Sequence, residues 1–155
     1  MKLLITGATG KVGSNFLPAF LADRRFAGVK VAALCHNRAL PPQDRVEVIR
    51  GSLSSREDVE RAMQGVTHVI HMASVKESPD LVIDVAVKGM FHLMEAFRAS
   101  PDARQFVLVS GDCAVGHIFH DYAAPITEES PRRAYKGCYA LTKVIEEVML
   151  EQYQI

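Results

Sequence analysis

Within its first thirteen residues the chain passes from an apolar run, Leu3-Leu4-Ile5, directly into glycines at positions 7, 10 and 13. The run predicts a buried strand, and the glycine spacing predicts a tight turn that opens a helix. Gly7 permits the sharp turn, and Gly10 lets another group approach the backbone with no Cβ between. Gly13 lets the helix lie close to the sheet. The start of such a helix offers unpaired N–H groups and the positive end of its dipole, a combination suited to a diphosphate. Few folds accept a strand that feeds a helix through glycines in this way.

The same alternation continues along the chain. A helix is predicted over about residues 11–24, with Pro18 expected to kink it or loosen its first turns. Strands are predicted at 29–34 and 46–49, the latter closed by Gly51. Ser54 and Ser55 can cap a helix through Glu57, Val59 and Met63 that Gly65 ends. A fourth strand is predicted at 67–72. Ser78-Pro79 then opens a helix carrying Leu81, Val82, Val85, Phe91, Leu93 and Met94, which stops before Pro101. A fifth strand at 105–110 leads into a polar loop to about residue 133, and a last helix from about residue 136 runs nearly to the end. Strands separated by helices imply a doubly wound parallel α/β sheet, about five strands with helices on both faces, in one domain over residues 1–155. Its ligand site is expected beyond the carboxyl ends of the strands, where the glycine turn and the segments after Leu34, Met72 and Ser110 converge.

Composition narrows the function. Lys+Arg and Asp+Glu balance at 18 each, so no long-range field favours nucleic acid or an anionic membrane. No apolar run approaches the ~20 residues that span a bilayer. The chain enters its first strand with no charged leader, and the cytoplasm is the expected compartment. Cys35, Cys113 and Cys138 form no C-x-x-C pair, which points to neither a disulfide framework nor a zinc site.

Chemistry concentrates near the end, in Tyr139-Ala-Leu-Thr-Lys143. Residues four apart share a helix face, so phenol and ammonium can meet one ligand. A nearby cation favours phenolate, and Lys143 is expected to lower the pKa of Tyr139 and to bind ribose hydroxyls. Tyr139 would then exchange a proton with a carbinol oxygen while hydride moves to or from a nicotinamide. The plain alternative is an ordinary surface helix with tyrosine and lysine one turn apart.

Together these segments carry a family resemblance. Thr6-Gly-Ala-Thr-Gly-Lys-Val-Gly13, Gly51-Ser-Leu53, His71-Met-Ala-Ser74, Gly89 with Leu93-Met-Glu-Ala96, Val109-Ser-Gly-Asp-Cys-Ala-Val115 and Tyr139-Ala-Leu-Thr-Lys143 stand in one order over almost the whole chain. In this the chain resembles the N-terminal, Rossmann-type part of the extended short-chain dehydrogenases/reductases, which include nucleotide-sugar epimerases and dehydratases. The resemblance implies that Tyr139 and Lys143 are the catalytic pair. It places the cofactor's diphosphate on the turn Gly7, Thr9, Gly10, Lys11, Val12 and Gly13. Ser52 and Leu53 would face adenine, with Met72, Ala73 and Ser74 along the cofactor's path.

Three positions depart from the family pattern. Ser52 stands where the family has aspartate, and Ala86 where it has asparagine. Asp112 stands where a catalytic Ser or Thr is expected. An ionised carboxylate accepts hydrogen bonds and cannot donate one to a substrate oxygen. Either Asp112 is protonated, or Ser110 or a later hydroxyl takes the role, or the chemistry is altered.

NAD binding ordinarily uses an acid about 20 residues past the glycines to hold the ribose diol. Between Asp23 and Asp44 there is none, and the second strand runs into Cys35-His36-Asn37-Arg38. Arg38, helped by its neighbours His36 and Asn37 and by Lys11, suits a 2′-phosphate. NADP is therefore expected over NAD.

His117, His120 and Asp121 with Asp112 would make a metal cluster only if that loop were helical. His71 is expected to be packed or backbone-bonded rather than a base. A phosphate-loop NTPase is refused by Ile5 and Val12, and no Gly-x-Ser-x-Gly marks an α/β-hydrolase. Met90, Phe91 and Met94 read as core or helix interface.

Extended members of the family continue into further strands and a substrate-closing region, so a truncated form is expected. The helices over 80–99 and 139–152 are expected to pair across a two-fold, giving a homodimer. A small-molecule carbinol or ketone, or a nucleotide-sugar, is the expected substrate. The readings left open are a reductase that consumes cofactor, an epimerase or dehydratase that recycles it, and a non-catalytic dinucleotide sensor or partner-binding module.

Overall fold

A computed structural model describes residues 1–153. Five strands, β1 (Lys2–Thr6), β2 (Lys30–Cys35), β3 (Val46–Arg50), β4 (His68–His71) and β5 (Gln105–Leu108), form one parallel sheet in the order β3-β2-β1-β4-β5. The first strand lies at the centre, and the chain leaves it first toward β2 and later, on the other side, toward β4. That reversal creates a crevice beyond β1 and β4, where such folds take ligands.

Side-chain alternation divides the sheet residues between two cores. Leu4, Ala32, Leu34 and Val69 pack on one side with Val59, Ala62, Leu93 and Phe97. Leu3, Ile5, Val31, Ala33 and Cys35 pack on the other with Leu17 and Phe20. The central strands therefore carry unbroken apolar runs, Leu3–Ile5 and Val31–Cys35, as a sheet covered on both faces requires. Helix α1 (Gly13–Ala22) lies on one side, and α2 (Arg56–Ala62) and α4 (Lys88–Ala99) lie on the other.

Several elements differ from expectation. Helix α1 is shorter than predicted and runs continuously through Pro18, ten residues in all. A short 3-10 turn, Arg24–Phe26, follows it and is capped by Asp23. Ser55, rather than Ser54, caps α2 by accepting from the Asp58 N–H at 3.2 Å, and Gly65 takes a φ of 67° just beyond. Pro79 opens α3 (Pro79–Val82), which passes through a π-helical segment, Ile83–Val87, into α4. Among these helices the π segment had no sequence signal. Helix α5 (Cys138–Tyr153) packs on that segment, on α3 and α4, and on β5. Beyond β5 no further strand pairs among the described residues, and Val107 on it is 39% exposed. The predicted domain's last two residues lie outside the described range.

The β1–β4 seam carries a buried polar pair. Thr6 Oγ1 meets His71 Nδ1 at 2.6 Å and also accepts from the Ala73 N–H at 3.3 Å. His71 is wholly buried, its Nε2 has no partner, and burial followed by the Lys143 charge pushes its pKa down to about 3. The imidazole is thus a neutral, packed group, which agrees with the sequence reading. The unfolded chain binds this proton near ~6.5 and the folded chain does not, so stability is complete above that pH and falls as pH drops toward 3. Urea unfolding of the protein against H71N should show this: the wild type loses up to about 1.4 kcal/mol per pH unit more than the variant across that window.

Candidate active site

The turn after β1 is built on contacts too close for any side chain. Gly7 has a φ of 74°, and a Cβ there would lie 2.5 Å from the Ala73 backbone nitrogen. A Cβ on Gly13 would lie 2.2 Å from the Gly7 carbonyl oxygen. The close approach that Gly13 makes is therefore to the turn itself rather than to the sheet. Gly10 closes the turn by donating to the Gly7 carbonyl at 2.9 Å, and a Cβ on it would meet only that oxygen within 4 Å. No side chain caps α1, and its first turn holds no acid, so its amino end keeps its positive character.

This turn forms one wall of a cleft of about 330 Å³ at the carboxyl ends of the strands. The cleft brings together Thr6, Gly7 and Thr9 with His36, Asn37 and Arg38, then Gly51, Ser52 and Leu53, then Ala73 and Ser74. Gly10, Lys11, Val12 and Gly13 stay outside its lining, as do Met72, Tyr139 and Lys143; Met72 packs in the core beside β1. A larger groove of about 670 Å³ runs between α2 and α4, flanked by Arg56, Glu60, Glu95 and Arg98, away from the strand ends.

Arg38 leans back over the turn and donates to the Thr9 carbonyl at 3.2 Å. Arg50 fastens the loop by donating to the His36 and Arg38 carbonyls at 3.1 and 3.0 Å. Where the family pattern has aspartate, Ser52 donates its N–H to Asp58 Oδ2 at 2.8 Å, and its hydroxyl pairs with that of Ser54. Asp58 thus brings a carboxylate to this corner from α2. The Ser52 N–H, then the Arg61 guanidinium, hold that carboxyl below its usual range. Sequence reading missed Asp58 because it belongs to a helix rather than to the motif.

Tyr139 stands at the same end of the sheet as the glycine turn. Its hydroxyl would be 3.8 Å from a Cβ built on Gly111, just past β5, and the Lys76 ammonium lies 5.8 Å from its ring centroid. Lys76 follows Ala73 by three residues, so the loop after β4 links the turn to the phenol. Glu77, at a φ of 26°, sets that loop against the start of α5, where a Cβ on Gly137 would lie 2.6 Å from its carboxylate. Lys76 was not foreseen, because nothing local in sequence announces the contact.

The expected effect of Lys143 on Tyr139 is corrected by the structure. Burial, then Cys113, Glu146 and Asp112, push the phenol above its ordinary value. The Lys143 ammonium is 2% exposed and donates to the Val109 carbonyl at 3.2 Å and to Glu146 Oε2 at 2.7 Å. A cation whose charge is matched by a carboxylate in contact exerts little net field on a third group. Ser110 is also engaged elsewhere, donating to Glu147, which Arg132 holds at 2.8 Å. Asp112 is exposed, accepts from the Tyr135 hydroxyl at 3.3 Å, and lies 3.9 Å from His117 Nδ1. Among the described residues no group of three or more His, Cys, Asp or Glu side chains is placed to hold a metal ion.

Residues 3–154 match the NAD dependent epimerase/dehydratase family. The chain belongs to that family. It is 33% identical over 123 residues to sterol demethylase protein B of Methylococcus capsulatus, covering 75% of this chain and 36% of that protein. It is 30% identical over 134 residues to an NAD-dependent epimerase/dehydratase of Alternaria alternata, covering 73% and 37%. Among solved structures it is similar to Thermus thermophilus UDP-glucose 4-epimerase in complex with NAD, with a TM-score of 0.79 at 30% identity over 99% of this chain and 50% of that one. A short-chain dehydrogenase/reductase superfamily protein of Agrobacterium tumefaciens with bound NAD gives a TM-score of 0.81 at 26% identity, covering 99% and 45%. The chain thus spans about half the length of these solved relatives and less of the curated ones.

The glycine contacts give a direct test. G13A should lower stability by about 1–3 kcal/mol in chemical denaturation, because neither the turn nor the helix can yield. G28A, on an open surface with nothing within 4 Å, should be neutral or slightly stabilising.

Proposed function

We propose that this chain is the dinucleotide-binding part of an extended short-chain dehydrogenase/reductase in which Tyr139 exchanges a proton with a carbinol or carbonyl oxygen. The observation that carries the reading is the position of the Tyr139 hydroxyl, over Gly111 and beneath Lys76, at the strand ends that also bear the glycine turn. A dinucleotide fits the cleft: the turn leaves its backbone open at Gly10, α1 begins without a cap, and the lining continues to Ala73 and Ser74. The bound nicotinamide would supply hydride acceptance or donation. The turn would hold the diphosphate, and Ser52 and Leu53 would face adenine. Tyr139 would hold or release the proton at its hydroxyl, and Lys143 would orient ribose once freed from its interior partner.

Arg38 favours NADP over NAD, since it lies over Thr9 where no acid is present to hold a ribose diol. The likeness to UDP-glucose 4-epimerase favours a second reading, epimerisation or dehydration of a nucleotide-sugar with recycled cofactor. Cofactor consumption separates the two, because a reductase changes nicotinamide absorbance in step with product and an epimerase does not. Asp112 in place of a hydroxyl keeps the non-catalytic sensor as the reading to be beaten. Exposed Leu81 and Phe91 on the α3–α4 helix and Leu141 and Val148 on α5 suit a homodimer through these helices. No helix among the described residues is long and apolar enough to cross a membrane, and a cytoplasmic enzyme is the reading we favour.

Two measurements test the proposal. Y139F should lower kcat at least about 100-fold while leaving cofactor Kd unchanged. An indifferent Y139F would point to the sensor. R38Q should weaken NADP binding by about 10–100-fold and NAD binding little, the loss of one charge-assisted contact. Tighter binding of NAD than NADP by the unaltered protein would end the NADP assignment.

A further inference from the structure

Tyr139, Lys143 and Glu146 occupy positions i, i+4 and i+7 of α5, a single helix face. The Lys143–Glu146 pair is sealed in the interior, with side-chain exposures of 2% and 0%. Only Oε2 of Glu146 is engaged; Oε1 is buried with no hydrogen-bond partner. A buried ion pair offsets its own desolvation poorly, and a carboxylate oxygen left unpartnered makes the balance worse. Apolar residues of similar volume would often serve packing as well or better.

We infer that Glu146 is a positioning residue for Tyr139: it holds the Lys143 ammonium in an interior ion pair, and release of that hold lets Lys143 act on the phenol. The inference rests on the reading of Tyr139 and Lys143 as the proton-transfer pair. While the pair is closed, the lysine charge is cancelled at 2.7 Å, and the phenol responds to burial and to nearby acids. When Glu146 gains a proton, Lys143 stands unopposed and phenolate is favoured. Burial raises the pKa of Glu146, which brings that proton closer to the neutral range.

The surrounding groups leave this role to Glu146. His71 from β4 is held neutral by burial, and Cys113 from the 3-10 turn Asp112–Ala114 has its thiol pushed up, also by burial. Asp112 from the same turn is exposed, and Asp84 of the π segment faces outward beside Lys88 at 4.0 Å. Lys76 lies over the Tyr139 ring, 5.8 Å from its centroid. On α5 itself, Glu147 is taken by Ser110 and Arg132.

The experiment follows tyrosinate absorbance against pH in the full-length protein, with Y139F supplying the difference that isolates Tyr139. E146Q should lower the Tyr139 midpoint by about one unit, a tenfold rise in phenolate at fixed pH. In a K143M background, E146Q should move the midpoint less than half as far, because Glu146 acts through Lys143. E146D, which keeps the charge on a shorter arm, should fall between wild type and E146Q, and it carries the test if E146Q does not fold. A midpoint unmoved in E146Q, an equal shift with and without Lys143, or an E146D midpoint at or above wild type overturns the inference. Turnover of Y139F is read separately: its failure would remove the catalytic reading while the titration still judged the Glu146–Lys143 hold.

Discussion

The contact between the turn after β1 and the backbone after β4 governs this structure. Gly7 lies so close to Ala73 that a single methyl group would collide with its backbone nitrogen, and Gly13 closes on Gly7 from the other side. Three consequences follow from that one steric fact. The seam between β1 and β4 stays tight enough to exclude water from Thr6 and His71. The carboxyl ends of the strands line up as the floor of one cleft. The loop leaving β4 starts from a fixed point, which lets Lys76 and Glu77 reach α5.

Much of this was legible in the chain, for identifiable reasons. A sheet covered on both faces needs apolar residues at successive positions, and runs such as Val31 to Cys35 carry that signal whatever the tertiary context. The glycine turn was legible because its demand is backbone-local. Ser55, Pro79 and Gly65 marked helix ends through chemistry confined to a few neighbouring residues. The cleft at the carboxyl ends of the strands followed from the topology, and most of its lining was named from position after each strand.

What escaped was set by contacts distant in sequence. The π segment Ile83–Val87 has no local signature; it lies where α5 packs on the long helix, just before Gly89 presses against Leu53. Asp58 reaches the Ser52 corner from a helix, and Lys76 reaches Tyr139 through a loop held by Gly137. Lys143 lies on one helix face with Tyr139, and its ammonium contacts Glu146. Its spacing from Tyr139 was read and its spacing from Glu146 was not, though both lie one turn away. Charge pairing on a buried face depends on which acid is also buried, and that becomes visible only once the helix is packed.

The two adjacent glutamates of α5 show why burial matters more than residue type. Glu147 is partly exposed, at 26%, holds Ser110 and Arg132, and has its charge answered by a guanidinium that water also reaches. Glu146 is wholly buried and answered by one lysine alone. In the first case the surrounding solvent damps any change in protonation, so Glu147 acts as a tether. In the second the low-dielectric interior transmits such a change to every group on the same face. Tyr139 is on that face, one further turn along the helix. A chain that keeps an acid there links the proton affinity of its phenol to the state of an ion pair no solvent touches.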